Sequence, residues 1–197
     1  MSNKTTFLFF DTETTGLPND FSAPSSNSEN WPRLVQLAWI ITDSDGNHIK
    51  EREYIVRPEG FSIPEDVLKI HGITTERALK EGRSLQFVLV MFCVDLENAN
   101  FIVGHNISFD IKIVSAEFHR TGIYNFLSNK PKLCTKKAGA DICKIPNPHD
   151  YEGYKRPKLT ELHRYLFNED FSNAHNAMAD IQATERCFWE MKRMGVI

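Results

Sequence analysis

Residues 6–11 (TFLFFD) form an unbroken apolar run that ends on an acid, the pattern of a central strand buried on both faces. Strands alternate with a period of two. If extended geometry persists through Thr12, Asp11 and Glu13 therefore emerge on the same side. Two more strands are predicted at 33–43 (RLVQLAWIITD) and 48–56 (HIKEREYIV), separated by a Ser44-Asp45-Gly46-Asn47 turn. Together the three make an antiparallel meander. Ser62-Ile63-Pro64-Glu65 reads as a capping box with Pro inside the first turn of a short helix. Gly72 then reads as a C-cap, and Thr74 as the start of another helix. Residues 84–98 predict a longer helix facing the core, and 101–104 (FIVG) a brief buried strand. In the helix predicted at 107–121, Phe109, Ile113 and Ala116 share a stripe with Asp110 beside it, an arrangement that favours a core role for Phe109. An edge or last strand at 132–135 (KLCT) precedes helices at about 136–143, 158–168 and 174–193. Strands first, then strand and helix in alternation, give an α/β fold: a mixed central sheet, antiparallel meander plus parallel strands, flanked by helices.

Residues 18–32 (PNDFSAPSSNSENWP) break this regularity. Rich in Pro, Ser and Asn, they form a loop long enough to serve function, and their position places them near Asp11 and Glu13. The chain has 197 residues, which suits one domain over 1–197, and 14 Phe supply bulk for its core. No apolar run reaches the roughly 20 residues of a membrane span, and the N-terminal run is a strand rather than a signal peptide. Cys93, Cys134, Cys143 and Cys187 lack metal-ligand spacing and read as thiols in a reducing compartment, so the expected location is cytoplasmic. The net charge of −3 argues against a strong basic footprint over the whole surface. Residues 130–164 nevertheless hold nine Lys/Arg against four acids. They form either a phosphate-tracking face or a solvated helix-and-loop surface.

Chemistry concentrates in three phrases: FDTETTG at 10–16, HNISFD at 105–110 and HNAMAD at 175–180. Asp11, Glu13, Asp110 and Asp180 with His175 suit two hard divalent cations, Mg²⁺ or Mn²⁺, and one proton acceptor. Two such ions clamp the attacking and leaving oxygens of a phosphoryl displacement, so these residue types point to a metal-dependent phosphodiesterase. His175 and Asp180 would point roughly 140° apart on one continuous helix. His175 is therefore expected on the entry loop or first turn, and Asp180 inside the helix. Read alone, the stretch around 173–176 would be a helix start capped by Asn173.

The order and content of these phrases, covering Thr6 to about Met194, resemble the three exonuclease motifs of the DnaQ-like family in its histidine-bearing (DEDDh) branch. The resemblance implies a ribonuclease-H-like fold and 3′–5′ exonuclease activity. Asp11 is implied to bridge both metals, Glu13 and Asp180 to complete the first, and Asp110 to hold the second directly or through water. His175 is implied to be the general base. Thr14, Thr15 and Gly16 would meet the terminal 3′-hydroxyl and its phosphate while Leu17 wedges against the last base; the residues alone support only a turn. His105 and Asn106 would shape the pocket, or simply tie a strand to the next helix, and Phe109 would stack on a base or pack in the core. His71-Gly72-Ile73-Thr74 also resembles a phrase of bacterial members but reads as helix punctuation. His119, His149 and His163 read as ordinary surface or helix residues.

The expected partner is a single-stranded nucleic acid 3′ end, DNA before RNA, with release of nucleoside monophosphates. Proofreading members such as the epsilon subunit of bacterial DNA polymerase III are the nearest in kind. Only seventeen residues follow Asp180, leaving no flexible tail for a polymerase and making a stand-alone enzyme plausible. Alternatives are an RNA-trimming member resembling oligoribonuclease or RNase T, a catalytically silent nucleic-acid-binding or protein-binding module, and a two-metal phosphodiesterase or phosphatase for other substrates.

Overall fold

The computed structural model describes residues 4–147, 152–172 and 175–197. Five strands form one sheet in the order β3-β2-β1-β4-β5. β1 (Thr6–Thr14) lies at its centre, antiparallel to β2 (Leu34–Asp43) and parallel to β4 (Phe101–Gly104). β3 (His48–Ile55) completes the meander on one edge, and β5 (Lys132–Cys134) runs parallel to β4 on the other. The expected mixed α/β sheet is therefore observed.

Alternation along β1 divides the core into two layers. Leu8 and Phe10 pack with Trp39, Phe92 and Val114, on the side of α3 (Leu85–Glu97) and α4 (Ile107–Thr121). Phe7 and Phe9 face Ala177, Ile181 and Phe188 of α8 (Ala177–Arg193). α1 (Glu65–His71) and α2 (Thr75–Glu81) cover a smaller cluster around Val35 and Ile73. The helix expected at 136–143 is two single turns, α5 (Thr135–Ala138) and α6 (Ala140–Cys143), meeting at Gly139. There Leu162 and Pro157 leave little room for a side chain. α7 (Leu159–Phe167) then packs on α8. Among the described residues no helix is long and apolar enough to cross a membrane. All four cysteines are free thiols.

One local expectation changes, and others gain detail. The Ser62 capping box does not form: α1 begins at Glu65 with Pro64 as an extended N-cap (ψ 150), and the Ile63 N–H goes instead to Thr75 Oγ1 at 2.9 Å. Gly72 and Thr74 cap as expected, Gly72 at φ 72 and Thr74 accepting from the Arg77 N–H. α8 is capped by Asn176, whose side chain accepts from the Ala179 N–H at 3.1 Å; Asn173 lies outside the described residues. Of the histidines expected on the surface or in helices, His163 is in α7 and buried against α8, His119 is exposed in α4, and His149 lies outside the described residues.

The loop after β1 is pinned to α4. Lys112 Nζ donates to the Phe21 and Ala23 carbonyls, and the Arg120 guanidinium holds those of Ser28 and Trp31. Buried Glu117 accepts from Arg33 Nε and from the Leu34 N–H.

On the opposite edge, buried Asp95 of α3 gathers Trp39 Nε1, Arg52 Nε and Lys50 Nζ. Burial alone would raise its pKa, but these bonds outweigh burial and hold it below the ordinary value. Asp95→Asn should cost about 1–3 kcal/mol at pH 7, measured by urea unfolding, since it leaves two cations without their buried partner. The native carboxyl titrates below the unfolded one, so its stabilisation is complete above the unfolded pKa and fades as pH falls through the folded one. The gap between wild type and variant should accordingly narrow in acid.

Candidate active site

The residues at the carboxyl end of β1 continue its alternation. Asp11 and Glu13 follow Phe7 and Phe9 onto the α8 face, paired in register with Ala38 and Gln36. Asp180 comes from the first turn of α8 to meet them. Single carboxylate oxygens of Asp11, Glu13 and Asp180 lie within 4.8 Å of one another, a spacing that one cation could bridge. Thr12 faces the other layer, where its N–H (3.2 Å) and Oγ1 (2.7 Å) donate to Asp110 Oδ1. Asp110 thus approaches from α4, held by the strand and standing outside the three-acid cluster.

These acids repel one another. Burial first, then Asp110, Asp180 and Glu13, push Asp11 well above the usual carboxylate range. Burial and the charges of Asp180 and Asp110 raise Glu13 to about 8. Burial raises Asp110 to about 7 although Thr12 opposes it. Asp180 is pushed to about 6 by burial, with the His175 N–H pulling the other way. Buried carboxylates crowded together, with no cationic side chain among the causes of the Asp11 and Glu13 shifts, form the donor set that hard divalent cations satisfy. The residues present therefore fit the metals that the sequence implies.

α8 is aimed by its first turn. Gln36, opposite Glu13 on β2, accepts from the Ala177 N–H through Oε1 at 3.4 Å and donates to Glu53 through Nε2 at 2.7 Å. His175 stands before the helix, exposed, at φ 70, with its backbone N–H on Asp180 Oδ2 at 3.1 Å. The separation of the two residues, one on the entry segment and one in the helix, is as expected.

Beside the carboxylates opens a largely apolar cavity of about 260 Å³, with Glu13, Thr14, Gly16 and Leu17 on one side and Phe109 and His71 on the other. Gly16 has φ 149 and Thr14 Oγ1 donates to its carbonyl at 2.7 Å, so the chain turns sharply off the strand there. Leu17 is 73 % exposed and free to wedge. Thr15 is bonded to Arg33 through both its N–H and Oγ1, which commits it to the turn. Phe109 is half-buried: it packs against the core and also forms cavity wall. His105 donates from Nε2 to the Pro157 carbonyl at 3.1 Å, and its Nδ1 meets Thr135 Oγ1 at 3.0 Å. Burial pushes it down to about 4, so the ring is neutral. Asn106 takes a left-handed conformation (φ 75) as the N-cap of α4.

Three neighbours of the site were not singled out from the residues. His71 lies against the cavity, its Nδ1 accepting from the Ile73 N–H at 3.1 Å; burial lowers its pKa and the Thr14 backbone partly opposes that. The phrase around it was visible, but reading it as punctuation hid this placement. Gln36 gave no signal in a strand of apolar neighbours. His163 donates from Nδ1 to the Glu169 carbonyl (3.0 Å), faces Arg186 Nη1 with Nε2 (3.3 Å) and packs at a tilt against Phe167 and Phe171. It anchors the segment that leads to His175.

The sequence profile of the RNase_T family, described as Exonuclease, matches residues 8–188. The chain belongs to this exonuclease family. A similar protein is DNA polymerase III subunit epsilon of Buchnera aphidicola subsp. Acyrthosiphon pisum (strain APS), 28% identical over 181 residues, 90% of this chain and 69% of that protein. The 3′-5′ exonuclease DinG of Bacillus subtilis (strain 168) is 25% identical over 96% of this chain but only 18% of its own length. E. coli exonuclease I, solved in complex with a dA16 oligonucleotide, shares the fold, with a TM-score of 0.75 and 24% identity over 96% of this chain and 41% of that one. The chain thus spans well under half of two of these proteins.

Three outcomes are expected of this exonuclease fold. Without metal, stability should fall as pH rises from about 4.5 to about 8, because the folded state holds a proton on Glu13 that the unfolded chain has released. Mn²⁺ or Mg²⁺ should raise the melting temperature at pH 8, and Asp11→Asn should raise the metal-free value while abolishing the metal-induced rise, as read by scanning fluorimetry. His163→Ala should increase amide exchange across 168–172 while the sheet stays protected, read by mass spectrometry.

Proposed function

We propose that the chain is a metal-dependent 3′–5′ exonuclease that shortens single-stranded DNA ends and releases nucleoside monophosphates. The observation that carries this reading is the half-buried cluster of Asp11, Glu13 and Asp180, within 4.8 Å of one another and beside an apolar cavity sized for a terminal nucleoside. Two divalent cations bound by the carboxylates would neutralise phosphoryl charge and acidify the attacking water. Asp11 would face both ions, Glu13 and Asp180 would complete one site, and Asp110 would reach the other directly or through water. Thr14, Gly16 and Leu17 line the cavity, and backbone N–H groups of this turn would meet the terminal hydroxyl and phosphate. Leu17 and Phe109 would enclose the last base, and His105 and Asn106 would act by fixing the β4–α4 junction that carries Asp110.

His175, on the exposed entry segment, swings toward the scissile phosphate and takes the proton of the attacking water on its imidazole. The new P–O bond forms as the bond to the 3′-oxygen breaks, and solvent protonates that oxygen. The similarity to an epsilon subunit and to a 3′-5′ exonuclease supports the direction of digestion and the DNA preference.

The test uses 5′-labelled single-stranded DNA and RNA oligonucleotides with Mg²⁺, Mn²⁺ or EDTA. A metal-dependent ladder receding from the 3′ end, faster on DNA and absent in Asp11→Ala, is expected. His175→Ala should lower kcat by about 10²–10⁴-fold with metal binding retained. Faster digestion of RNA would move the substrate to RNA, and no digestion of either strand would overturn the reading.

A further inference from the structure

The cavity beside the carboxylates is not isolated. His71 also lines a second depression, of about 460 Å³, that reaches His175 and Asn176. Asn176 in turn lines a third, of about 400 Å³, that runs past Gln36 and Tyr54 to Arg83. Arg83 then borders a fourth, of about 330 Å³, with Arg57 and Phe87. Successive depressions share a lining residue, so they lie next to one another in a row, here called the trench, from the site to the exposed start of α3.

Lys69 stands in the second depression and Arg83 and Arg57 in the last two, their side chains exposed and making no ion pair among the described residues. Of the acids nearby, Glu81 is tied to Arg77 and Glu53 accepts from Gln36. Glu53, whose partner is a neutral amide, and Glu59 remain as opposing charges beside the three cations. The far end offers an aromatic surface, with Phe87 43% exposed and set edge-on to Tyr54 at 5.6 Å. Cations at intervals followed by an accessible ring match what a single strand presents, phosphates along its backbone and a π-face on every base. By contrast, much of the basic stretch at 130–164 is engaged within the fold: Lys130 and Lys132 hold backbone carbonyls, and Lys155 and Arg164 pair with Glu161 and Asp170.

We infer that this trench is the binding path for the part of a single-stranded nucleic acid that lies 5′ of the terminal nucleotide, with Lys69, Arg83 and Arg57 on its phosphates and Phe87 under one of its bases. The inference rests on the exonuclease reading above and adds to it an extended substrate and a length preference. Lys69, Arg83, Arg57 and Phe87 take no part in bond cleavage, so they should govern KM and leave kcat alone.

The experiment compares steady-state KM and kcat on DNA and RNA from dinucleotide to 12-mer with Mg²⁺, for wild type, Arg57→Ala/Arg83→Ala, Phe87→Ala and the control Lys136→Ala/Lys137→Ala. Wild-type KM should fall with length and then level off. On the 12-mer, the Arg pair should raise KM about tenfold and lower the salt slope by about 0.7 per lost phosphate contact. Phe87→Ala should raise KM about tenfold. The dinucleotide KM, every kcat and the control should stay at wild-type values. A trench that reads only the shared sugar-phosphate backbone predicts the same pattern on both sugars, and an effect on one sugar would assign the path to that nucleic acid. Wild-type KM independent of length, or trench variants matching wild type on the 12-mer, would overturn the trench while leaving the exonuclease standing. No hydrolysis of any length by wild type would overturn the exonuclease reading, and the trench with it.

Discussion

Repulsion among buried carboxylates is the constraint around which this structure is organised. Asp11, Glu13, Asp110 and Asp180 all sit where burial and mutual charge drive their pKa upward. Such a cluster persists only where neighbouring elements hold it rigidly, and each acid here has an anchor of its own. Asp11 and Glu13 ride on a central strand bonded on both edges. Asp110 is bound by Thr12, and Asp180 receives the His175 N–H at the start of a helix that Gln36 ties to the sheet.

The strand's alternation gives this strain a direction. Odd positions from Phe7 to Glu13 face α8, and even positions from Leu8 to Thr12 face α3 and α4. One short segment therefore recruits Asp180 from one layer and Asp110 from the other. Both layers are packed with aromatic rings behind the acids: Phe9 against Phe188 on one side and Phe10 against Phe92 on the other. Displacing either helix would open a core as well as the site, which couples the carboxylate cluster to global stability.

Much of this was legible in the residues. The apolar run at 6–11, the alternating acids that follow and the turn at 44–47 carry their own periodicity, and the structure places strands where they predict. The His175–Asp180 spacing excluded a shared helix face, and the helix does begin between them. Illegible were features created by long-range packing. His163 is exposed or buried according to whether α7 docks on α8, and nothing within its own helix decides that. His71 borders the site because α1 folds over the end of β1. The Ser62 box is absent because α1 starts two residues later with Pro64 as its N-cap, and Thr75, distant in sequence but adjacent in space, takes the Ile63 N–H.

The polar loop between β1 and β2 bears on the thermodynamics of binding. Fifteen residues with little regular structure would lose on the order of 1–2 kcal/mol of backbone entropy each if they ordered only around a ligand. Here Lys112 and Arg120 of α4 clasp that segment, and Glu117 fixes its exit at Arg33 and Leu34, before any ligand arrives. Its disorder is surrendered during folding, offset by Trp31 buried beneath it. The rim of the site is thus a wall already in place, and association need not draw on contact energy to build it.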